Sequence, residues 1–264
     1  MYPALLKSYK GLYPFKLGTT SYIYPDHIIP NVKLLAPYLD EVELILFESE
    51  SDSLPSTADI KTLALISEQY DLTYNVHLPL DISLGSHDPS TRQYGVEIIK
   101  KIFDLTFPLS PSTYTLHLNF EEDSDADERI IAWQEIVCKC MEQLLKATDI
   151  KNETISIETL AYPLEWVEHI LTAFNLSVCL DIGHLIVNGF DLENVFHTYA
   201  QRTSIIHLHG ADKQKDHLAL DRLSKSTMDR IIRILRRFNG TVSLEVFSYP
   251  DLVASLNVLE QFWR

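Results

Sequence analysis

Short apolar runs rich in β-branched and aromatic residues alternate along this chain with longer stretches whose apolar positions recur every three or four residues. The first pattern reads as buried strand and the second as amphipathic helix. Eight runs have strand character: FKLGTTSY (15–22), VELILFES (42–49), TYNVHLPL (73–80), YTLHLNF (114–120), TISIETL (154–160), SVCLDIGH (177–184), SIIHLHG (204–210) and TVSLEVF (241–247). Between them, 163–174 shows the helical spacing, with Leu164, Val167, Leu171 and Phe174 on one face, and 251–264 repeats it with Leu252, Leu256 and Leu259. No Gly/Ser linker or low-complexity segment interrupts the alternation. The pattern predicts an α/β fold, a single (β/α)8 TIM barrel over residues 1–264, for which about 250 residues is typical. A doubly wound open sheet shares the alternation and differs only in whether the first strand meets the last.

Charged residues break the apolar runs at one end. His77, His117, Glu158, Asp181 with His184, His207 with His209, and Glu245 all fall near the C-terminal ends of six consecutive strands. In a barrel those ends converge on the face where active sites are built. Alternation along a strand puts His207 with His209, and Cys179 with Asp181, on common sides. A buried, unpaired carboxylate costs several kcal/mol, and the eight strands contain no Lys or Arg beyond Lys16. A divalent cation is the economical partner for such a set, and mixed nitrogen and oxygen donors suit zinc, manganese or iron(II).

Composition narrows the partners. Apolar residues make up 46% of the chain, enough for a large core, while 37 acidic residues against 22 basic ones give a net charge of −15. That charge repels polyanions, so nucleic acid is not an expected partner. Three cysteines, Cys138, Cys140 and Cys179, lack framework spacing and suit a reducing compartment. The start MYPALLKSYKGLYP shows no secretory signal, and no run approaches the ~20 apolar residues of a membrane span. A cytoplasmic protein acting on a small-molecule substrate, without membrane association, is expected. The cations of DRLSKSTMDRIIRILRRF (221–238) accompany an apolar face of Ile231, Leu235 and Phe238, which makes them the solvated side of a barrel helix. Cys138 and Cys140 lie two apart on a predicted helix and make a poor metal pair. FEEDSDADE (120–128) reads as a surface loop capping the next helix. Tyr22, Tyr24, Phe47, Phe120, Tyr162 and Phe247 fall at or after strand ends, where they can line an apolar mouth; Glu48 ends the second strand beside them.

CLDIGHLIVNGFDL (179–192), IETL (157–160), IHLHGADK (206–213) and SLEVF (243–247) resemble the metal-site strands of the xylose isomerase-like, AP endonuclease family 2 superfamily. By that resemblance Glu158, Asp181, His207 and Glu245 are shared metal ligands, His77 and His117 serve a second ion, and His184 serves a third, so one to three divalent ions are implied. The chain departs from the family's DNA-cleaving members after strand seven. There an Asp-x-His pair completes the third site, whereas KDHL places Asp216 directly before His217. A narrower resemblance, in LGTTSYIYPDHIIPNVKLLAPYLDEVELILFES (17–49), YNVHLPLDISLGS (74–86) and PSTYTLHL (111–118), is to the cobamide-remodelling branch. It implies hydrolysis of the nucleotide-loop phosphodiester of B12-type cofactors to cobinamide phosphate and the free riboside. On this reading Glu158 and Glu245 take part in catalysis as well as ligation. His209 and His217 touch the phosphate or hold ligands from behind, while Tyr22, Phe47, Glu48 and Phe247 bind the cobamide. A single-ion sugar or polyol isomerase or epimerase is the alternative, and a non-catalytic cofactor-binding barrel the third.

Overall fold

Every one of the eight runs forms a strand, and every strand stops short of the C-terminal end of its run. In the computed structural model, which describes residues 2–50, 53–213 and 215–264, they are β1 (Lys16–Thr20), β2 (Glu41–Ile45), β3 (Thr73–His77), β4 (Tyr114–Leu116), β5 (Ile155–Glu158), β6 (Ser177–Asp181), β7 (Thr203–Leu208) and, after a two-stranded hairpin of β8 (Gly210–Asp212) and β9 (Lys215–Leu218), β10 (Thr241–Leu244). All barrel neighbours run parallel, and β1 pairs with both β2 and β10, with Leu17 opposite Val242 and Thr19 opposite Leu244. The first strand therefore meets the last, and the sheet is a closed eight-stranded barrel. The open-sheet alternative is excluded.

Among the described residues, nine helices surround it: α1 (Ile28–Leu35), α2 (Thr57–Tyr70), α3 (Pro89–Thr106), α4 (Asp127–Lys146), α5 (Glu168–Ala173), α6 (Ile182–Val187), α7 (Leu192–Tyr199), α8 (Lys225–Leu235) and α9 (Tyr249–Trp263). Their apolar faces supply the main core between helix ring and barrel, with Leu63, Ile102, Val137, Leu171, Ile231 and Leu256 at 0 or 1% exposure. Ser56 starts α2 with a reciprocal capping box to Asp59. The 163–174 segment divides into a 3-10 turn, Leu164–Val167, and α5. As the sequence suggests, the cations of α8 face outward, where Arg230 and Arg233 pair with Glu193. The acidic 120–128 loop does not cap α4 through a side chain, because the N-cap is Ala126.

Two local irregularities aim side chains into the barrel mouth. SVCLDIGH is not strand to its end: β6 stops at Asp181, whose carboxylate accepts the His184 backbone N–H at 2.6 Å and so caps α6. His184 thus sits on the first turn of a helix. The second irregularity is a register shift between β6 and β7: Val178 lies opposite Thr203 but Cys179 lies opposite Ile205. The extra residue advances β7 by one, so that His207 rather than Ile206 lies opposite Asp181.

Leu63→Ala, which removes a fully buried side chain of α2, is expected to cost about 2–5 kcal/mol. The check is urea unfolding: the midpoint falls while the slope stays constant. An unmoved midpoint contradicts the packing described.

Candidate metal centre

The wall of the barrel mouth holds four buried carboxylates, Glu43, Glu158, Asp181 and Glu245, at 4% exposure or less. Among the described residues their ion-pair partners are all histidines. The nearest lysine contact in the barrel, Lys16 with Glu41 at 3.8 Å, involves a different carboxylate at the start of β2.

Glu158 sits at the centre, and its two oxygens face different nitrogens. Oε2 lies 3.1 Å from His77 Nε2 and 2.8 Å from His117 Nε2. Oε1 lies 3.4 Å from His207 Nδ1, which is also 3.1 Å from Glu245 Oε2 and 3.9 Å from Asp181 Oδ2. The first group joins the ends of β3, β4 and β5, and the second joins β5, β6, β7 and β10.

Hydrogen bonding shows why these atoms require a cation. His77 Nδ1 is 2.9 Å from the Leu78 carbonyl, to which it can only donate, so a neutral His77 presents an Nε2 lone pair to a carboxylate oxygen. Two acceptors at 3.1 Å need a proton or a metal ion between them. His207 Nδ1 and Nε2, Glu43 Oε1 and Glu245 Oε2 are all buried without a hydrogen-bond partner among the described residues. Ligands about 2.0–2.2 Å from a common tetrahedral ion stand about 3.3–3.6 Å apart, close to the 3.1–3.4 Å spacings around Glu158 and His207. The donor set fits divalent zinc, manganese or iron. Without an ion, protons play its part. Burial lowers His77, but its hydrogen bond and charge contact with Glu158 outweigh burial and raise it to about 9. Burial likewise pushes Glu158 and Glu245 up, yet their histidines hold both well below the usual carboxylate range.

The other predicted residues fall around this centre. His184 Nδ1 donates to the Thr159 carbonyl at 3.0 Å, leaving Nε2 directed at Asp216 Oδ2, 3.7 Å away. His209 is fully buried and meets Asp181 at 3.1 Å. His217 stands at the rim, 3.6 Å from Glu245, with its ring stacked on His209 at 4.3 Å. Its backbone is left-handed, φ 53°. That breaks strand alternation and lets the adjacent Asp216 and His217 both reach the site. Asp181, His184, His209 and His217 bring nitrogen and oxygen atoms within 4.8 Å of one another beside the Glu158 cluster, but both His209 nitrogens are engaged, one by the His217 amide and one by Asp181. Tyr22, Phe47, Phe247 and His217 form a chain of ring contacts of 5.0–5.7 Å along the mouth. Glu48 is exposed, accepts the Ser53 hydroxyl at 3.2 Å and, among the described residues, makes no ion pair with a site histidine. Tyr24 is buried and donates to the Pro3 carbonyl, so it packs the fold. A cleft of about 510 Å³ adjoins the centre, lined by His117, Phe120, Leu160, Tyr162, His184 and Asp216.

Glu43 is the residue that sequence reasoning passes over. Its Oε2 accepts the Ser243 hydroxyl at 2.5 Å, and its Oε1 lies 2.9 Å from His207 Nε2, on the side of the ring opposite the ligand cluster. The approach lacks hydrogen-bond geometry, so the carboxylate acts on the ring through its charge, which favours a proton on Nε2 and leaves Nδ1 for the cluster. The signal was present in EVELI, where Glu41 and Glu43 share one face of an otherwise apolar strand.

The sequence model of the xylose isomerase-like TIM barrel family matches residues 39–262, and the chain belongs to that family. No curated protein matches its sequence. Similar solved structures include a D-tagatose 3-epimerase-like protein (TM-score 0.76, 18% identity, 94% of this chain and 97% of that one). Endonuclease IV from Thermus thermophilus gives TM-score 0.70 at 14% identity over 94% of this chain and 98% of that one. An IOLI protein with a bound zinc atom gives 0.70 at 13% over 94% and 95%.

Glu158→Gln and Asp181→Ala are expected to abolish retention of added zinc while the far-ultraviolet circular dichroism stays native, since removing one of several buried like charges relieves repulsion in the metal-free protein. Unfolding of both variants with zinc content unchanged sinks the ligand assignment. Glu43→Gln is expected to weaken zinc binding about 10–100-fold in a chelator competition; unaltered affinity removes its orienting role.

Proposed function

We propose that this barrel is a metal-dependent phosphodiesterase acting on the nucleotide loop of a cobamide. The observation that carries the hydrolase reading is the division of Glu158, with His77 and His117 on one oxygen and the His207, Asp181 and Glu245 group on the other. A carboxylate so placed suits a bridge between two ions. Such a pair supplies an acidified water and charge for the departing oxygen, the two needs of phosphodiester cleavage.

The chain's own residues then have distinct tasks. His77, His117 and Glu158 would hold one ion; Asp181, His207 and Glu245, with Glu158, would hold the other. Glu43 keeps the His207 ring turned toward the cluster. His217 is the rim residue: in the metal-free protein burial lowers it, but Glu245 and Asp216 outweigh burial and raise it to about 9. Its ring stands beside the cluster, 3.6 Å from Glu245, and is placed to hydrogen-bond an entering phosphate. The aromatic chain Tyr22, Phe47 and Phe247 gives a large ring system an apolar edge to lie against, with the adjoining cleft to take the rest of the molecule. The resemblance of residues 17–49, 74–86 and 111–118 to the cobamide-remodelling branch supports that substrate.

A second reading is supported by the same geometry. The quartet Glu158, Asp181, His207 and Glu245 is complete without His77 and His117, and with one ion it suits a sugar or polyol epimerase or isomerase, in which two carboxylates move protons at carbon while the ion polarises oxygen. The D-tagatose 3-epimerase-like neighbour supports it.

Incubating metal-assayed protein anaerobically with adenosylcobalamin, with and without chelator, is expected to give chelator-sensitive cobinamide phosphate and α-riboside by mass spectrometry, with about two ions per chain. Intact cobamide with one ion per chain favours the epimerase reading instead. On the phosphodiesterase reading, His217→Ala lowers kcat about 10²-fold with metal content unchanged; an unchanged kcat removes His217 from the phosphate.

A further inference from the structure

His209 has its tautomer written by the backbone. The His217 N–H donates to His209 Nδ1 at 2.8 Å. A backbone amide cannot accept there, so Nδ1 carries no proton and the ring proton resides on Nε2. The Gly210 carbonyl is farther from Nδ1, 3.2 Å, and a proton placed on Nδ1 to reach it would leave the His217 amide hydrogen facing an N–H. Nε2 lies 3.1 Å from both oxygens of Asp181. The ring is fully buried, and it is confined from the opposite side as well: a Cβ on Gly183 would stand 1.9 Å from His209 Cε1. Gly183 belongs to the helix that Asp181 caps. The imidazole is thus wedged between α6, Asp181 and β9, with one nitrogen committed to each polar neighbour.

We infer that His209 is a positioning residue that ties the β8–β9 hairpin to the carboxylate of Asp181. Its Nε2–H donates to Asp181, leaving that nitrogen no lone pair for a metal. Asp181 then has one lone pair satisfied by the His184 amide, one by His209, and the remainder directed at the His207 side of the cluster. In the other direction, the hairpin that carries Asp216 and His217 over the mouth is held by the same imidazole, through the His217 amide. An ion on Asp181 fixes that carboxylate, the carboxylate fixes His209, and His209 fixes the hairpin. Filling the metal centre and holding the rim hairpin in place are therefore coupled through one imidazole. The inference rests on Asp181 being a metal ligand, and it is independent of which reaction follows.

Three measurements on the full chain test it. In protein labelled with 15N-histidine, long-range 1H–15N spectra of the metal-free form are expected to show His209 as the Nε2–H tautomer; an Nδ1–H tautomer overturns the inference, whatever the variants do. Zinc affinity by chelator competition is expected to fall about 10–100-fold in His209→Ala. His209→Gln, whose amide nitrogen can reach Asp181, should recover part of it. Hydrogen exchange of the amides in 211–218 is expected to slow when zinc is added to the wild type and to stay fast in His209→Ala. Equal zinc affinity in wild type and His209→Ala, or a hairpin indifferent to zinc, overturns the coupling. Wild-type protein that retains no zinc defeats the metal reading itself, and the tautomer still decides whether His209 links the hairpin to Asp181.

Discussion

Four carboxylates enclosed in one barrel mouth, with no lysine or arginine among the described residues paired to them, are the constraint on which the rest depends. In water their mutual repulsion is small; inside a protein wall each also loses its hydration, and the two effects compound. The fold answers with imidazoles, which accept either a proton or a metal ion at the nitrogen they present. His77 shows the choice most directly, since its other nitrogen is committed to the Leu78 carbonyl. A lysine or arginine would satisfy the charge permanently and leave nothing for an ion to do. Histidine keeps the arrangement open to exchange.

The surrounding surface and the centre carry opposite instructions. A chain of net charge −15 repels anions at long range, which disfavours polymeric nucleic acid even in a family whose fold is shared with an endonuclease. On the proposed phosphodiesterase reading, a small phosphodiester would feel less of that field and would meet positive charge only at close quarters, at the metal centre. The rings of Phe47 and Phe247, each 37% exposed, add an attraction that does not depend on charge. On that reading these ranges of action would favour a compact, partly apolar ester.

Much of this was legible in the sequence because buried parallel strands are nearly uniform in polarity, so Asp181 or His207 stands out against its neighbours. Eight such strands favoured a closed barrel over an open sheet, a choice the β1–β10 pairing decides, and the centre followed from the exceptions sharing one end. Glu43 carried the same signal as Asp181, but it lies in the interior of its run rather than at the end, where attention to the active face concentrates. Glu48, which does lie at the end, turned outward with the loop. The one-residue shift that puts His207 opposite Asp181 had no local marker, because Thr203, Ser204 and Ile205 are all acceptable in a regular strand. Nor could the double role of Asp181 as ligand candidate and helix cap be read before the start of α6 was known. Those features depend on pairing between segments, which a linear pattern does not contain.

The closing seam bears on how the protein comes by its metal. Glu43 reaches Ser243 across 200 residues of chain, and the Glu158 cluster draws donors from β3 through β10. No emerging segment contains more than a fragment of it, so during synthesis the chain offers an ion only scattered, weak sites. A tight site comes into being when the last strand joins the first. An ion held there would not nucleate this fold; it would be chosen by a finished barrel from whatever the surroundings hold at that moment, and the place of folding would help decide which metal fills the centre.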